Sequence, residues 1–185
     1  MEYLEEGVLN CTTCLQHKSK SCFNKDRSIG KRGYEYKCKD CLKEKKIAKQ
    51  REKISNLLLE LDKQSLEGEI WKDIPDYETI YQVSNFGRVR SLPRTMTENT
   101  KSNKGSILNE SFCVGYKQVS LSKNGKLKTK RVHNLVMTSF VGKAEGRVVD
   151  HINADRSDNR LENLRYCTQR ENTQFKSLRE KGYVG

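Results

Sequence analysis

Asp150 and His151 stand side by side in this 185-residue chain, with Asn163 and Asn172 following 12 and 21 residues beyond the histidine. A carboxylate and an amide oxygen are hard donors of the kind that hold a divalent ion such as Mg²⁺ or Mn²⁺. An imidazole, with an ordinary pKa of about 6.5, can take a proton from water near neutral pH. Together these are parts for metal-assisted hydrolysis. The chain around them carries a formal net charge of +12. The substrate such a set would meet is therefore a phosphodiester in nucleic acid.

The segments on either side predict how these residues are held. Val148-Val-Asp-His151 reads as a strand with its polar pair at the end. A loop over 152–162 contains Asn153, Asp155, Asp158 and Asn159, and the two aspartates are alternative oxygen ligands. Leu164-Arg-Tyr-Cys-Thr168 reads as a second short strand. Thr168-Gln-Arg-Glu171 fits a capping box, so a helix is expected from there to about Lys181, with Gly182 past its end. Phe175 and Leu178 would anchor its inner face, and Asn172 would fall one turn in, able to point back at the strand end. Arg160 and Arg165 could neutralise flanking phosphates.

Near the front, Cys11-Thr-Thr-Cys14 and Cys38-Lys-Asp-Cys41 form two CxxC pairs. Each pair can offer two thiolates from a tight turn, and two pairs complete the tetrahedral set of a structural Zn²⁺ site. The short polar segment between them buries too little to fold alone, so metal binding would supply the folding free energy. Free structural or redox thiols are the other reading, and His17 is an alternative ligand. Cys22, Cys113 and Cys167 are expected to be buried small hydrophobes. A helix should follow Cys41 and end around Ser65 to Gly68. Its Lys43, Lys45, Lys46, Lys49, Arg51 and Lys53 fit either phosphate contact or a solvated face. Leu57, Leu58, Leu59 and Leu61 form an apolar patch for packing.

In the middle, Tyr81 and Val83 lead into Asn85-Phe-Gly87, a strand entering a turn where Gly87 is free to take positive φ. Arg88 to Ser91 then returns, with Arg88 and Arg90 as candidate phosphate contacts. Residues 95–106 read as a polar loop. Gly115 to Ser122 and a strand through Val132 flank Asn124-Gly125, a strong signal for a two-residue hairpin turn. Between Ser111 and Lys143 there are seven Lys or Arg residues and no acid. Lys117, Lys123, Lys126, Lys128, Lys130 and Arg131 would make a basic ribbon able to enter a groove. His133 to Val141 reads as a short helix burying Leu135, Val136 and Phe140, with His133 structural rather than catalytic.

Three resemblances follow from these residues. Trp71, Ile74, Tyr77, Tyr81, Val83, Ser84, Asn85, Gly87, Arg88, Val89 and Ser91 match the nuclease-associated modular motif of phage homing endonucleases. Asp150-His151, Asn163 and Asn172 resemble the ββα-metal finger of HNH endonucleases, in the subgroup with asparagine in place of the final histidine. The resemblance implies Asp150 and Asn172 as Mg²⁺ ligands, His151 as general base and Asn163 as a brace of the loop. It implies a homing-type DNA endonuclease using one divalent ion; with one active site per chain, a monomer should nick one strand, and cutting both would need a dimer or two visits. Ala154 departs from the family, which has Gly there, and Asn134 stands where it has Arg. The N-terminal cysteines and the helix after them are similar to a treble-clef zinc finger. Longer relatives often carry a helix-turn-helix after the nuclease; with none expected here, target selection would fall to the zinc module, the Trp71 region and the ribbon, or be weak.

The expected class is α+β: a zinc module over 1–50, a helical linker over 51–68, the nuclease-associated motif and loop over 69–110, and the hairpin with the nuclease over 111–185. Double-stranded DNA is the expected partner, with no membrane and no small-molecule substrate. No apolar run approaches the length of a spanning helix, and the acidic start lacks the pattern of a signal peptide. A cytoplasmic protein is expected, which also argues against a disulfide scaffold for its seven cysteines. Two other classes compete: a zinc-finger DNA-binding regulator with an inactive nuclease site, and an RNA-binding zinc-finger protein, which would need exposed aromatics for stacking.

Overall fold

The computed structural model describes residues 7–28, 33–94 and 103–182. The chain divides into two units, Met1–Asn56 and Leu57–Gly185; the described residues form a mixed α+β arrangement of small sheets and three α-helices.

The first unit holds two short hairpins and most of a long helix. Strands β1 (Val8–Asn10) and β2 (His17–Ser19) pair antiparallel around the first CxxC turn. Strands β3 (Phe23–Lys25) and β4 (Tyr34–Cys38) form the second hairpin, and β4 runs directly into helix α1 (Lys39–Asp62). Cys38 therefore ends a strand, and Cys41 sits in the first helical turn. The buried set is small: Cys11, Phe23, Cys38 and Cys41, with Leu9, Cys14, Cys22 and Tyr34 packed around them. The basic residues of α1 from Lys43 to Lys53 are all exposed.

In the second unit α1 stops at Asp62, ahead of the expected end at Ser65 to Gly68, because Lys63 and Gln64 already turn. Of the patch Leu57, Leu58, Leu59 and Leu61, Leu61 is buried, whereas Leu59 is exposed. Strands β5 (Trp71–Asp73), β6 (Tyr81–Ser84), β7 (Val89–Ser91) and β8 (Ser106–Ile107) make a four-stranded antiparallel sheet. Of the expected polar loop, residues 95–102 lie outside the described residues. Asn103 bridges to Arg94, and Ser106 belongs to β8 rather than to a loop.

Strands β9 (Ser111–Cys113), β10 (Tyr116–Lys123) and β11 (Lys126–Arg131) form a second sheet in the order β11-β10-β9. The expected hairpin is present, with Asn124 at φ 52° and Gly125 at φ 73°, the positive pair a two-residue turn demands. The third strand, β9, carries no alternation to announce it, since all its residues are exposed. Cys113 is consequently exposed and Cys22 half-buried, so burial as a small hydrophobe holds for Cys167 alone.

Val132 does not end β11 but opens helix α2 (Val132–Phe140). It is buried with His133, Leu135, Val136 and Met137, while Phe140 is only partly buried. Strands β12 (Val148–His151) and β13 (Leu164–Cys167) pair antiparallel and lead into helix α3 (Gln169–Glu180). A single core joins these parts: Ile74, Tyr81, Val83 and Val89 pack with Val119, Leu121, the α2 face and Leu164. Residues expected in separate segments on either side of position 110 thus share one interior. No helix among the described residues is long and apolar enough to cross a membrane.

Candidate active site

Strand β12 delivers Asp150 and His151 together, both buried, at 3% and 5% exposure. A cavity of about 640 Å³ opens beside them, lined also by Tyr116, Arg156, Asn172, Lys176 and Arg179. Asn172 reaches it from the first turn of α3, where the expected capping box is present. Thr168 Oγ1 accepts from Glu171 N at 3.2 Å, and Glu171 Oε2 accepts from Thr168 N at 2.8 Å. That lock sets the start of α3, and with it the position of Asn172.

Both oxygens of Asp150 are engaged. Arg179 donates to Oδ1 at 3.0 Å and to Oδ2 at 2.8 Å, and Arg165, its cross-strand neighbour, donates to Oδ2 at 2.9 Å. Burial pushes the Asp150 carboxyl up, but the two guanidiniums outweigh it and hold the group below its ordinary value. Arg165 also lies over the Phe175 ring at 3.8 Å. The inner face of α3 is therefore held by these cation contacts, and Leu178, expected to be an anchor, is exposed.

The loop from Ile152 to Glu162 is tied by amides. Asn163 Oδ1 accepts from Asn153 N at 2.9 Å, and its Nδ2 donates to Asp158 O at 2.8 Å. Asp158 is paired with Arg160, and Asp155 caps Ser157; neither aspartate lines the cavity beside His151. Arg160 bridges Asp158 and Glu162. Ala154 sits at φ 64°, a left-handed conformation that costs a residue with a Cβ about 1–2 kcal/mol.

His133 is buried at 4% exposure, and its ring meets that of His151 edge-on with centroids 5.2 Å apart. Burial, reinforced by the nearby His151 and Arg131, pulls its pKa down to about 4. It is a neutral packing residue at ordinary pH. Tyr116 lies against both histidines, with Arg131 and Arg156 over its ring at 4.8 and 5.0 Å.

Residues 69–122 match the model of the NUMOD4 motif, and residues 130–174 match that of the HNH endonuclease family. The chain thus carries a NUMOD4 motif followed by an HNH endonuclease segment. DNA endonuclease I-HmuI of Bacillus phage SP01 is 42% identical over 105 residues, 56% of this chain and 55% of that protein. An uncharacterized HNH endonuclease, L247 of Acanthamoeba polyphaga mimivirus, is 40% identical over 116 residues, 60% of this chain and 26% of its own length. A solved structure of I-HmuI, concerning DNA binding and cleavage, is 37% identical, covers 63% of this chain and 61% of that one, and superposes with a TM-score of 0.49. The chain thus spans about half of I-HmuI and a quarter of the mimiviral protein.

Within the NUMOD4 segment Arg88 and Arg90 are both occupied. Arg90, expected at phosphates, is 5% exposed, donates to Asp62 and Gln82 at 2.7 Å, and stacks on Trp71 at 4.3 Å. Arg88 donates to Gln64 O at 2.9 Å and pairs with Glu69. On the ribbon, Lys117 pairs with Glu110, an acid one residue outside the acid-free stretch. Lys123 bonds Asp76 O. Lys126, Lys128 and Lys130 are exposed and line a cleft with Lys123 beside Tyr77, while Arg131 turns to the opposite face and Tyr116.

The four predicted cysteines of the first unit come together, with all Sγ atoms within 4.8 Å of one another. Cys11 and Cys41 Sγ are 3.8 Å apart, close to the edge of about 3.8 Å expected for a tetrahedron with 2.3 Å Zn–S bonds. Hydrogen bonds from the backbone of Cys14 and Cys38 pull the Cys11 thiol down to about 5. Hydrogen bonding to Cys38 and burial push Cys41 up to about 12. Four sulfurs this close cannot all ionise unless a cation offsets their charge, so the donor set fits zinc. His17 is outside the cluster, while Lys18 Nζ lies 3.6 Å from Cys38 Sγ and 3.1 Å from Asp40.

Sequence reasoning did not pick out Arg179, Asn159 or Tyr116 as members of the site. Arg179 stands in the last turn of its helix, where a basic residue is favourable in any case, so its type and place do not single it out.

Proposed function

We propose that this chain is an HNH homing-type endonuclease that hydrolyses phosphodiester bonds in double-stranded DNA, with β12, β13 and α3 forming a ββα-metal finger. The observation that carries this reading is the convergence of Asp150, His151 and Asn172 on one basic cavity. His151 accepts the proton of the attacking water. Asp150 and Asn172 have the donor chemistry to hold one Mg²⁺ or Mn²⁺, which when bound would stabilise charge on the phosphate and the leaving 3′ oxygen. Asn163 holds the loop in shape, and Arg156 and Lys176 offer positive charge to the substrate backbone. Lys126, Lys128, Lys130 and Arg131 extend the DNA contact along the ribbon. The four-cysteine cluster reads as a treble-clef-like structural zinc site. With one Asp150–His151 pair per chain, a monomer nicks a single strand.

Nicking of supercoiled DNA with Mg²⁺, compared between wild type and His151→Ala, tests the reading. Loss of nicking with DNA binding retained supports it. The regulator reading draws on one observation, the complete engagement of Asp150 by arginines. Tight binding of a known target without cutting by either protein would favour that alternative. Chelation is a poorer control, because it would strip the cysteine cluster as well.

A further inference from the structure

The His151 ring makes a side-chain contact that the roles above do not use. Its Nε2 lies 3.2 Å from Asn159 Oδ1, and both residues are buried. An amide oxygen only accepts, so this contact requires the proton on Nε2. The amide is oriented by its other end, where Asn159 Nδ2 donates to Ser157 O at 3.4 Å. With Nε2 carrying the proton, the lone pair of the neutral ring is on Nδ1.

Asn159 is held from behind by the NUMOD4 turn. A Cβ built on Gly87 would lie 2.7 Å from Asn159 Cβ and 2.9 Å from its carbonyl oxygen. Gly87 is also at φ 79°, so glycine is required there for both space and conformation. Two residues beyond Asn159, Leu161 N donates to Asn85 O at 2.7 Å. Asn85 in turn receives Ile70 N on its Oδ1 at 2.7 Å and donates to Gly68 O at 3.1 Å. Ser84, fully buried, closes the turn by accepting from Phe86 N and Arg88 N on its hydroxyl.

We propose that Asn159 is a positioning residue that fixes the proton of His151 on Nε2, and that the Asn85–Gly87 turn of the NUMOD4 motif is the wall that holds Asn159 in place. The motif is then a structural part of the nuclease site, in addition to any contact it makes with DNA. The proposal rests on the reading of His151 as the base.

Long-range ¹⁵N–¹H correlation of the histidine rings in the zinc-loaded full chain, without Mg²⁺, reads the tautomer directly, with His151→Ala assigning the signals. The wild type is expected to show His151 protonated on Nε2. Asn159→Leu is expected to lose that preference and to lower nicking by about 10–100-fold, the scale on which orienting partners act, with DNA binding unchanged. Asn159→Asp, which keeps an acceptor oxygen, restores the Nε2–H form and most of the activity. Gly87→Ala shifts the His151 signals and lowers nicking in the same sense. A wild-type ring protonated on Nδ1 overturns the proposal without reference to any variant. So does full nicking by Asn159→Leu when His151→Ala is inactive. If His151→Ala itself nicks normally, the reading of His151 as base fails instead, and the tautomer still reports on the positioning by Asn159.

Discussion

Arg179 forms a two-pronged pair with Asp150, Nη1 to Oδ1 at 3.0 Å and Nη2 to Oδ2 at 2.8 Å, across 29 residues of sequence. The carboxylate proposed as an ion ligand is thus already satisfied by the last turn of α3, and an incoming divalent cation must share or displace that guanidinium. Arg179→Ala is expected to destabilise the fold by about 1–3 kcal/mol, since Arg165 remains as a partner. It is also expected to bind Mg²⁺ more tightly than wild type. Urea unfolding and titration calorimetry read the two effects, and unchanged Mg²⁺ affinity would show that the guanidinium does not compete.

Ala154 occupies a left-handed position one turn past His151. Ala154→Gly should relieve the backbone and raise stability by about 0.5–1 kcal/mol, the gain being tempered by the greater freedom glycine has when unfolded. Thermal melting decides it. A lower melting temperature would mean that the alanine methyl contributes more by packing than its conformation costs.

Much of the candidate site was legible in the sequence because its signals are local. The paired cysteines, the Asn124-Gly125 turn, the Thr168 to Glu171 box and the strand ending in Asp150-His151 are each written within a few residues, and each is found where the spacing put it. What escaped was set by contacts between distant segments. Nothing near Arg179 indicates that it faces Asp150, and nothing near Asn159 indicates that Gly87 lies behind it. Arg90 looks like any arginine of an exposed strand until Asp62, Gln82 and Trp71 enclose it. Strand β9 is exposed throughout, so no hydrophobic alternation marks it.

His133 gives the fold an acid-sensitive point. Its folded pKa of about 4 lies below the ordinary 6.5, so the unfolded chain binds more protons between those values. Stability is therefore present above about pH 6.5 and is lost as pH falls toward 4, by up to about 3 kcal/mol at about 1.4 kcal/mol per pK unit. His133→Gln is expected to flatten that part of the pH–stability curve measured by denaturant unfolding. A curve unchanged by the substitution would assign the acid sensitivity to other groups.

Thr168→Ala removes the N-cap that sets the start of α3. A loss of about 1 kcal/mol is expected, together with reduced nicking, because Asn172 lies in the turn that this cap opens. Thr168→Ser, which retains the hydroxyl, should behave as wild type in both measurements. Equal activity in the alanine variant would show that Asn172 is placed by the Asp150–Arg179 pair instead.

Cys38→Ser is expected to abolish stoichiometric zinc binding, read by metal analysis of the purified chain. It should also release the amides of β3 and β4 to rapid hydrogen exchange, since so small a buried cluster cannot hold those strands alone. Retained protection would show that the hairpin folds on its own hydrogen bonds.

Strand β11 is the outermost strand of its sheet, and every one of its residues is exposed. An open edge of this kind is a template on which the backbone of another chain can add a strand, and lysines are among the residues that discourage it. Lys126, Lys128 and Lys130 therefore guard against self-association as well as supplying charge to a polyanion. Neutralising all three to map the DNA footprint would also uncover an adhesive edge, and the resulting protein could cluster on its own. Substitution by glutamate, which removes the attraction but leaves the edge charged, separates the two effects.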